Sequence, residues 1–61
     1  MMDKALLRVE ETAEELGLSR ARTYNLVMSN EIPSIKIGRS RRVPRKALEE
    51  YIERLMKEQA E

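Results

Sequence analysis

The chain has 61 residues and a formal net charge of +1, and it contains neither cysteine nor histidine. A chain of this length makes one small domain, so residues 1–61 are treated as a single domain. Without those two residue types it lacks disulfides, thiolate and imidazole metal ligands and the commonest proton shuttles, and we expect no enzyme, metal site or cofactor. No apolar run reaches the roughly 18 residues of a membrane span. The absence of cysteine fits a reducing, cytoplasmic compartment, and we expect no small-molecule ligand.

The charges are unevenly distributed along the chain. Residues 1–17 carry two cationic and five acidic side chains, and residues 47–61 carry the same numbers. Residues 18–46 carry eight cationic side chains and a single acidic one, Glu31. Such segregation indicates that one surface meets a polyanion while the acidic remainder keeps the protein in solution.

The first elements in chain order are a short apolar run and a helix. Residues 5–8 fit either a strand or a lead-in to a helix. Val9, Ala13 and Leu16 then recur on one face at helical spacing, which predicts a first helix over about 9–16. Gly17 should end it, because glycine readily takes the left-handed conformation at a helix C-terminus.

A second helix follows almost at once. Ser19 is a favourable N-cap, which predicts a helix over about 20–29. Asn30 suits the left-handed position that would end it. The positions at the spacing of an inward face are Thr23, Leu26, Val27 and Asn30. Two short helices joined by Gly-Leu-Ser have the form of a helix-turn-helix, whose second helix is offered to the major groove of DNA.

A hairpin and a third helix complete the pattern. Residues 35–37 alternate apolar and polar side chains, residues 38–40 suit a turn, and residues 41–43 can return, which predicts a hairpin over about 35–43. Pro44 suits the first turn of a helix, where its missing N–H is not needed, so a third helix is predicted over about 45–58. We expect its apolar stripe to face the core rather than a dimer interface: Leu48, Tyr51, Ile52 and Leu55.

With these elements in place, the chain resembles the excisionase-type and MerR-type winged helix-turn-helix DNA-binding domains. The matching segments are LLRVEETA (6–13), LGLSR (16–20), YNLV (24–27), EIP (31–33), KIGR (36–39), RVPR (42–45) and ALEEYI (47–52). The resemblance implies a mainly α fold with a small β-hairpin. In that fold the second helix enters the major groove, and the hairpin, or wing, lies on the backbone or in the neighbouring minor groove.

Two positions depart from the family pattern. Thr23 stands where an apolar residue is usual, so the second helix should pack less tightly. Arg41 stands where an aromatic residue is usual, and strand alternation puts it on the same side as Val43. Either its methylene groups cover the edge of the core while its guanidinium reaches solvent, or the strand is irregular and Arg41 reaches DNA.

The second helix and the wing together supply the candidate DNA contacts. Arg20 or Arg22 could pair with guanine, and Asn25 with adenine. Ala21 could meet a thymine methyl group, while Ser19 and Tyr24 could contact phosphate or bases. Packing of Tyr24 under the second helix, and a plain surface role for Asn25, stay open as alternatives. The remaining candidates are Lys36, Arg39, Ser40, Arg41, Arg42 and Arg45.

These features favour sequence-specific binding of double-stranded DNA, by an excisionase-like recombination directionality factor or by a small transcription regulator. A single module covers only about 600–1,000 Å² on DNA, so further copies on adjacent sites, an integrase or RNA polymerase are expected partners. The alternative is a protein-interaction module, an adaptor or antitoxin-like regulator whose basic face meets an acidic protein. RNA binding is less favoured, because two tyrosines are the only aromatic side chains available for stacking.

Overall fold

A computed structural model describes residues 4–60 as three helices and three short strands. Their order is β1 (Leu6–Leu7), α1 (Val9–Leu16), α2 (Arg20–Met28), β2 (Ile35–Ile37), β3 (Ser40–Pro44) and α3 (Arg45–Gln59). The arrangement confirms the predicted winged helix-turn-helix, mainly α with a small antiparallel hairpin. The helices α1, α2 and α3 lie within a residue of their predicted bounds.

The turn between α1 and α2 is made by two capping residues. Gly17 has φ 71°, and the amides of Gly17 and Leu18 donate to carbonyls in the last turn of α1, at 3.3 and 3.0 Å. This paired bonding satisfies the free carbonyls of the helix end. Ser19 is extended, with φ −66° and ψ 156°, and its Oγ accepts the amide hydrogen of Arg22 at 3.1 Å. The second helix therefore starts only a few residues after the first one ends.

The inward face of α2 contains a polar residue that is fully satisfied. Thr23 and Val27 are completely buried, and Leu26 is partly buried beside them. The Thr23 hydroxyl donates to the Ser19 carbonyl at 2.9 Å, which avoids the cost of burying an unpaired polar group. A threonine is therefore accommodated in the core at the position where the family usually has an apolar residue.

Asn30 was expected both on the inward face and in the left-handed conformation, and only the second expectation is correct. Among the described residues it is the one non-glycine with positive φ, at 66°. Its side chain is exposed, because α2 has already ended at Met28 and the left-handed backbone turns the chain away from the helical repeat. The fully buried residue after this turn is Ile32.

The three strands form one antiparallel sheet in the order β1-β3-β2, with β3 in the centre. The early apolar run is thus a strand and not a lead-in to a helix. The paired residues are Leu6 with Pro44, Leu7 with Val43, Ile35 with Arg42, Lys36 with Arg41, and Ile37 with Ser40. Gly38 and Arg39 alone form the turn of the wing, and Gly38 takes φ 60° there. A glycine with positive φ in the first position is typical of the tight turns that join twisted strands.

The third helix begins and packs slightly differently from the prediction. Pro44 belongs to β3 and is the N-cap of α3, with φ −60° and ψ 136°, rather than a residue of its first turn. Ile52 lies at the rim of the core, 37% exposed, and does not continue the buried stripe of Leu48 and Tyr51. The core cluster consists of Leu7, Val27, Ile32, Val43, Leu48 and Tyr51. Because α2 and β3 both contribute to this cluster, the core fixes the second helix relative to the wing.

Candidate nucleic-acid interface

The outward side of α2 carries the side chains predicted to contact bases. Thr23 and Val27 point into the core, so the opposite side of the helix is open to solvent, and Ala21, Arg22 and Asn25 are all exposed on it. The Ser19 hydroxyl already caps the helix, and its own hydrogen stays available for donation.

The wing carries its cations in two settings. Lys36 and Arg39 are exposed, whereas Arg41 and Arg42 are half-buried. The ladder between β2 and β3 is regular, so Arg41 does share a face with Val43, and the irregular-strand alternative is wrong. The guanidinium of Arg41 extends from the edge of the core and donates to Ser34 Oγ at 2.9 Å. This bond fixes the direction of the Arg41 side chain.

A cleft of about 340 Å³ lies where the N-terminal ends of α1 and α2 approach the wing. Its lining joins six of the predicted contact residues to three residues that were not predicted. The lining residues are Arg8, Val9, Glu10, Arg20, Tyr24, Arg39, Ser40, Arg41 and Arg42. Tyr24 is half exposed and borders this cleft, so it does not pack under the helix. Five guanidinium groups around one concave surface create a strongly positive potential.

Within this positive surface, one ion pair joins α1 to α2. The Nη2 atom of Arg20 lies 3.4 Å from Oε2 of Glu10, and the two side chains are 76% and 51% exposed. Glu10 is the only carboxylate among the lining residues. The pair therefore lies in solvent, where its contribution to the free energy of folding is small.

A second acidic group beside the cleft stabilises the start of α1. The Glu11 carboxylate accepts the amide hydrogen of Arg8 at 2.8 Å and a hydrogen bond from the Lys4 ammonium. Chiefly the Lys4 bond, and next the Arg8 amide, lower the pKa of Glu11 from 4.5 to about 2. The carboxylate is thus anionic at neutral pH and holds the backbone of Arg8, a lining residue of the cleft, in place.

Arg45 occupies a different place from the other predicted contacts. Its backbone amide donates to the Ala5 carbonyl at 2.8 Å, and its Nε donates to the Lys4 carbonyl at 2.9 Å. Its terminal nitrogens lie 3.3 and 3.5 Å from the Glu15 carboxylate. Arg45 does not line the cleft, and neither do Ser19, Ala21, Arg22, Asn25 and Lys36.

Sequence reasoning missed Arg8, Val9 and Glu10 because they belong to an acidic segment. They could have been predicted if the apolar run before Arg8 had been interpreted as a strand. When residues 6 and 7 pair with β3, the next residue comes beside the base of the wing. The choice between strand and helix for that run could not be made from local sequence.

The described residues contain neither a candidate membrane span nor a candidate metal site. Between residues 4 and 60, no helix has both the length and the apolarity needed to cross a bilayer. Over the same span, no group of three or more acidic, cysteine or histidine side chains is arranged to hold a metal ion.

Comparison with known proteins places the sequence in a family. The profile described as "Helix-turn-helix domain" matches residues 6–56, which include both helices of the turn, the wing and most of α3. A protein of Saccharopolyspora erythraea named "Probable excisionase" is 52% identical over 58 residues, and the "Excisionase" of Streptomyces ambofaciens is 38% identical over 48 residues. The chain belongs to the excisionase-type helix-turn-helix family. The predicted family resemblance is thereby confirmed.

The members of this family differ in length. The aligned region covers 95% of the chain and 59% of the Saccharopolyspora protein, and 79% of the chain and 77% of the Streptomyces protein. A Mycobacterium tuberculosis relative named "Putative DNA-binding protein" is 40% identical over 79% of the chain and 62% of its own length. The chain therefore spans about three fifths of the length of the Saccharopolyspora and Mycobacterium relatives. No solved structure matches it significantly.

Proposed function

We propose that this protein binds a specific site on double-stranded DNA and acts, without enzymatic activity, as an excisionase-like recombination directionality factor. The observation that carries the proposal is the cleft in which the start of α2 and the wing present their arginines together. A duplex is the polyanion whose size fits a helix and a wing side by side. The names of the relatives favour a recombination role over a transcriptional one.

In this proposal the exposed side of α2 reads the bases. Arg22 has a planar group that can donate two hydrogen bonds to the O6 and N7 atoms of guanine, and Asn25 has the donor and acceptor that match adenine. Ala21 is small enough to admit a thymine methyl group. All three are exposed on the side of α2 that faces away from the core.

The wing supplies contacts to phosphates, which position the protein without reading sequence. Lys36, Arg39 and Arg42 are the cations proposed for this role, with the Ser40 and Tyr24 hydroxyls as neutral donors. Arg41 reaches the same cleft, but its bond to Ser34 sets its direction in advance. With about four phosphates neutralised by these four cations, the logarithm of the binding constant should fall with a slope of about −3.6 against the logarithm of salt concentration.

A domain of this size covers a short site. Useful affinity is expected from several copies on adjacent sites or from a contact with an integrase, and both belong to the proposal. The proposal also includes a cytoplasmic location, because the DNA that the protein would bind lies there.

Selection from a random duplex library, followed by fluorescence anisotropy at two salt concentrations, tests the proposal. Arg22→Ala and Asn25→Ala should each lower affinity for the selected site by about five-fold or more, with little effect on an unrelated duplex. Lys57→Ala is the matched control, since it removes an exposed charge from α3, outside the cleft. Failure to select any site would contradict the proposal, and binding to an acidic protein instead would favour an interaction module.

A further inference from the structure

The cleft contains one group that a surface built only for phosphates would exclude. Five arginines line it, yet Glu10, in the first turn of α1, lies among them. A carboxylate repels the phosphate oxygens that the arginines attract, and this repulsion is felt at the distances found within a small cleft. Glu10 therefore lowers the affinity of this surface for DNA in general.

An exposed carboxylate in the first turn of a helix adds a small stabilisation through the helix dipole. Folding stability therefore accounts only in part for Glu10. Its contact with Arg20 is a single ion pair at 3.4 Å between side chains that are both more than half exposed. Pairs of this kind contribute little to the free energy of unfolding because water and salt screen them. The helix start itself is stabilised by a different carboxylate, that of Glu11, which accepts the Arg8 amide hydrogen.

The effect of Glu10 falls instead on Arg20. This arginine is the first residue of α2, its side chain is 76% exposed, and it lines the cleft together with residues of the wing. A guanidinium in that place can turn to a phosphate or to a base edge, and phosphate contacts carry no sequence information. With Glu10 Oε2 lying 3.4 Å from Nη2, the ion pair has no net charge, so its attraction to phosphate falls, while N–H donors of Arg20 stay available for a base.

We propose that Glu10 is a positioning residue that holds Arg20 away from the DNA backbone and so makes it a reader of sequence. The inference deepens the proposed function and rests on it. The presence of Glu10 should raise the ratio of specific to non-specific affinity and lower the affinity for DNA of any sequence. An accidental surface charge would give only the second effect.

The test compares Glu10→Gln with Glu14→Gln. Glutamine keeps the size and helix preference of glutamate and removes its charge. Glu14 is exposed on the same helix and does not line the cleft, so it reports the effect of charge alone. Dissociation constants for the selected site and for a scrambled duplex are measured by anisotropy over a series of salt concentrations.

Glu10→Gln should tighten binding to the scrambled duplex, steepen the salt slope by about 0.9, and reduce the ratio of specific to non-specific affinity by about three- to five-fold, the most that an exposed ion pair can contribute. In an Arg20→Ala background the same change should leave that ratio within about two-fold, because the arginine through which Glu10 acts is gone. Glu14→Gln should leave the ratio unchanged.

Three results would overturn the inference: an unchanged ratio in Glu10→Gln, an equal loss in Glu14→Gln, or an equal loss when Arg20 is already absent. A wild-type protein that selects no site would instead reject the proposed function. Circular dichroism of each variant shows that α1 is intact, so that a lower ratio is not caused by unfolding.

Discussion

Replacing Arg45 with methionine should lower the stability of the domain and leave the salt dependence of DNA binding unchanged. The side chain is only 21% exposed, and its guanidinium bonds to the Lys4 carbonyl at 2.9 Å and approaches the Glu15 carboxylate at 3.3 Å. A hydrogen bond contributes about 0.5–1.5 kcal/mol net, and a pair whose acid is 44% exposed adds at most about 1 kcal/mol. Methionine keeps the packing of the side-chain stem, so the expected loss is about 1–2 kcal/mol.

That loss is large for so short a chain. Domains have about 0.05–0.15 kcal/mol of stability per residue, so the total here is roughly 3–9 kcal/mol. In small domains each kcal/mol lowers the melting temperature by about 4–8 °C, and Arg45→Met should therefore lower it by roughly 5–15 °C. Thermal unfolding followed by circular dichroism measures this change directly.

The matched variant is Arg39→Met at the tip of the wing, where the side chain is exposed. It should reduce the steepness of the salt slope by about 0.9 while the free energy of unfolding stays within about 0.5 kcal/mol of wild type. If Arg45→Met kept the wild-type melting temperature and reduced the salt slope, Arg45 would be a phosphate ligand, as the sequence indicated, and the structural role argued here would be refuted.

Three other predictions concern stability. Ile32→Val should lower the free energy of unfolding by about 0.5–1.5 kcal/mol, because the side chain is fully buried. Ile35→Val, at a position 44% exposed, should change the midpoint of urea unfolding very little. Equal midpoints for the two variants would contradict the described core. Because the pKa of Glu11 is lowered from 4.5 to about 2, its stabilising effect is complete above pH 4.5 and is lost as the pH falls towards 2, and Glu11→Gln should remove that part of the acid dependence of the melting temperature. Gly17→Ala should destabilise by about 1 kcal/mol through its φ of 71° alone, since an added Cβ meets no atom within 4 Å, and a wild-type melting curve would show that the turn can relax.

Local sequence was sufficient to predict the helices, because their signals lie within a few residues. Gly17 and Ser19 each set a helix end by backbone geometry and by one or two hydrogen bonds, and both do so in the structure. The wing was predictable for the same reason, since strand alternation and a central glycine specify a hairpin locally.

The composition of the cleft was harder to predict, because it depends on a contact between distant parts of the chain. Leu6 and Leu7 pair with β3, and this pairing of distant segments brings Arg8 and Glu10 to the wing. The partners of Arg45 were hidden for the same reason, since the Lys4 carbonyl and the Glu15 carboxylate that contact it come from the N-terminal segment. From sequence alone, an arginine next to a basic hairpin is assigned to the same charged surface, because its distant partners are unknown.

The central position of β3 has a consequence for how the wing responds to a ligand. A free hairpin can bend at its stem, whereas here β3 continues beyond the hairpin: residues 40–42 pair with β2, and the next two residues, 43 and 44, pair with β1. Fixing a residue's backbone costs about 1–2 kcal/mol of entropy at 25 °C. Because folding has already ordered these residues, that entropy loss does not weaken the complex, and only the two-residue tip needs to adapt its shape to whatever it touches.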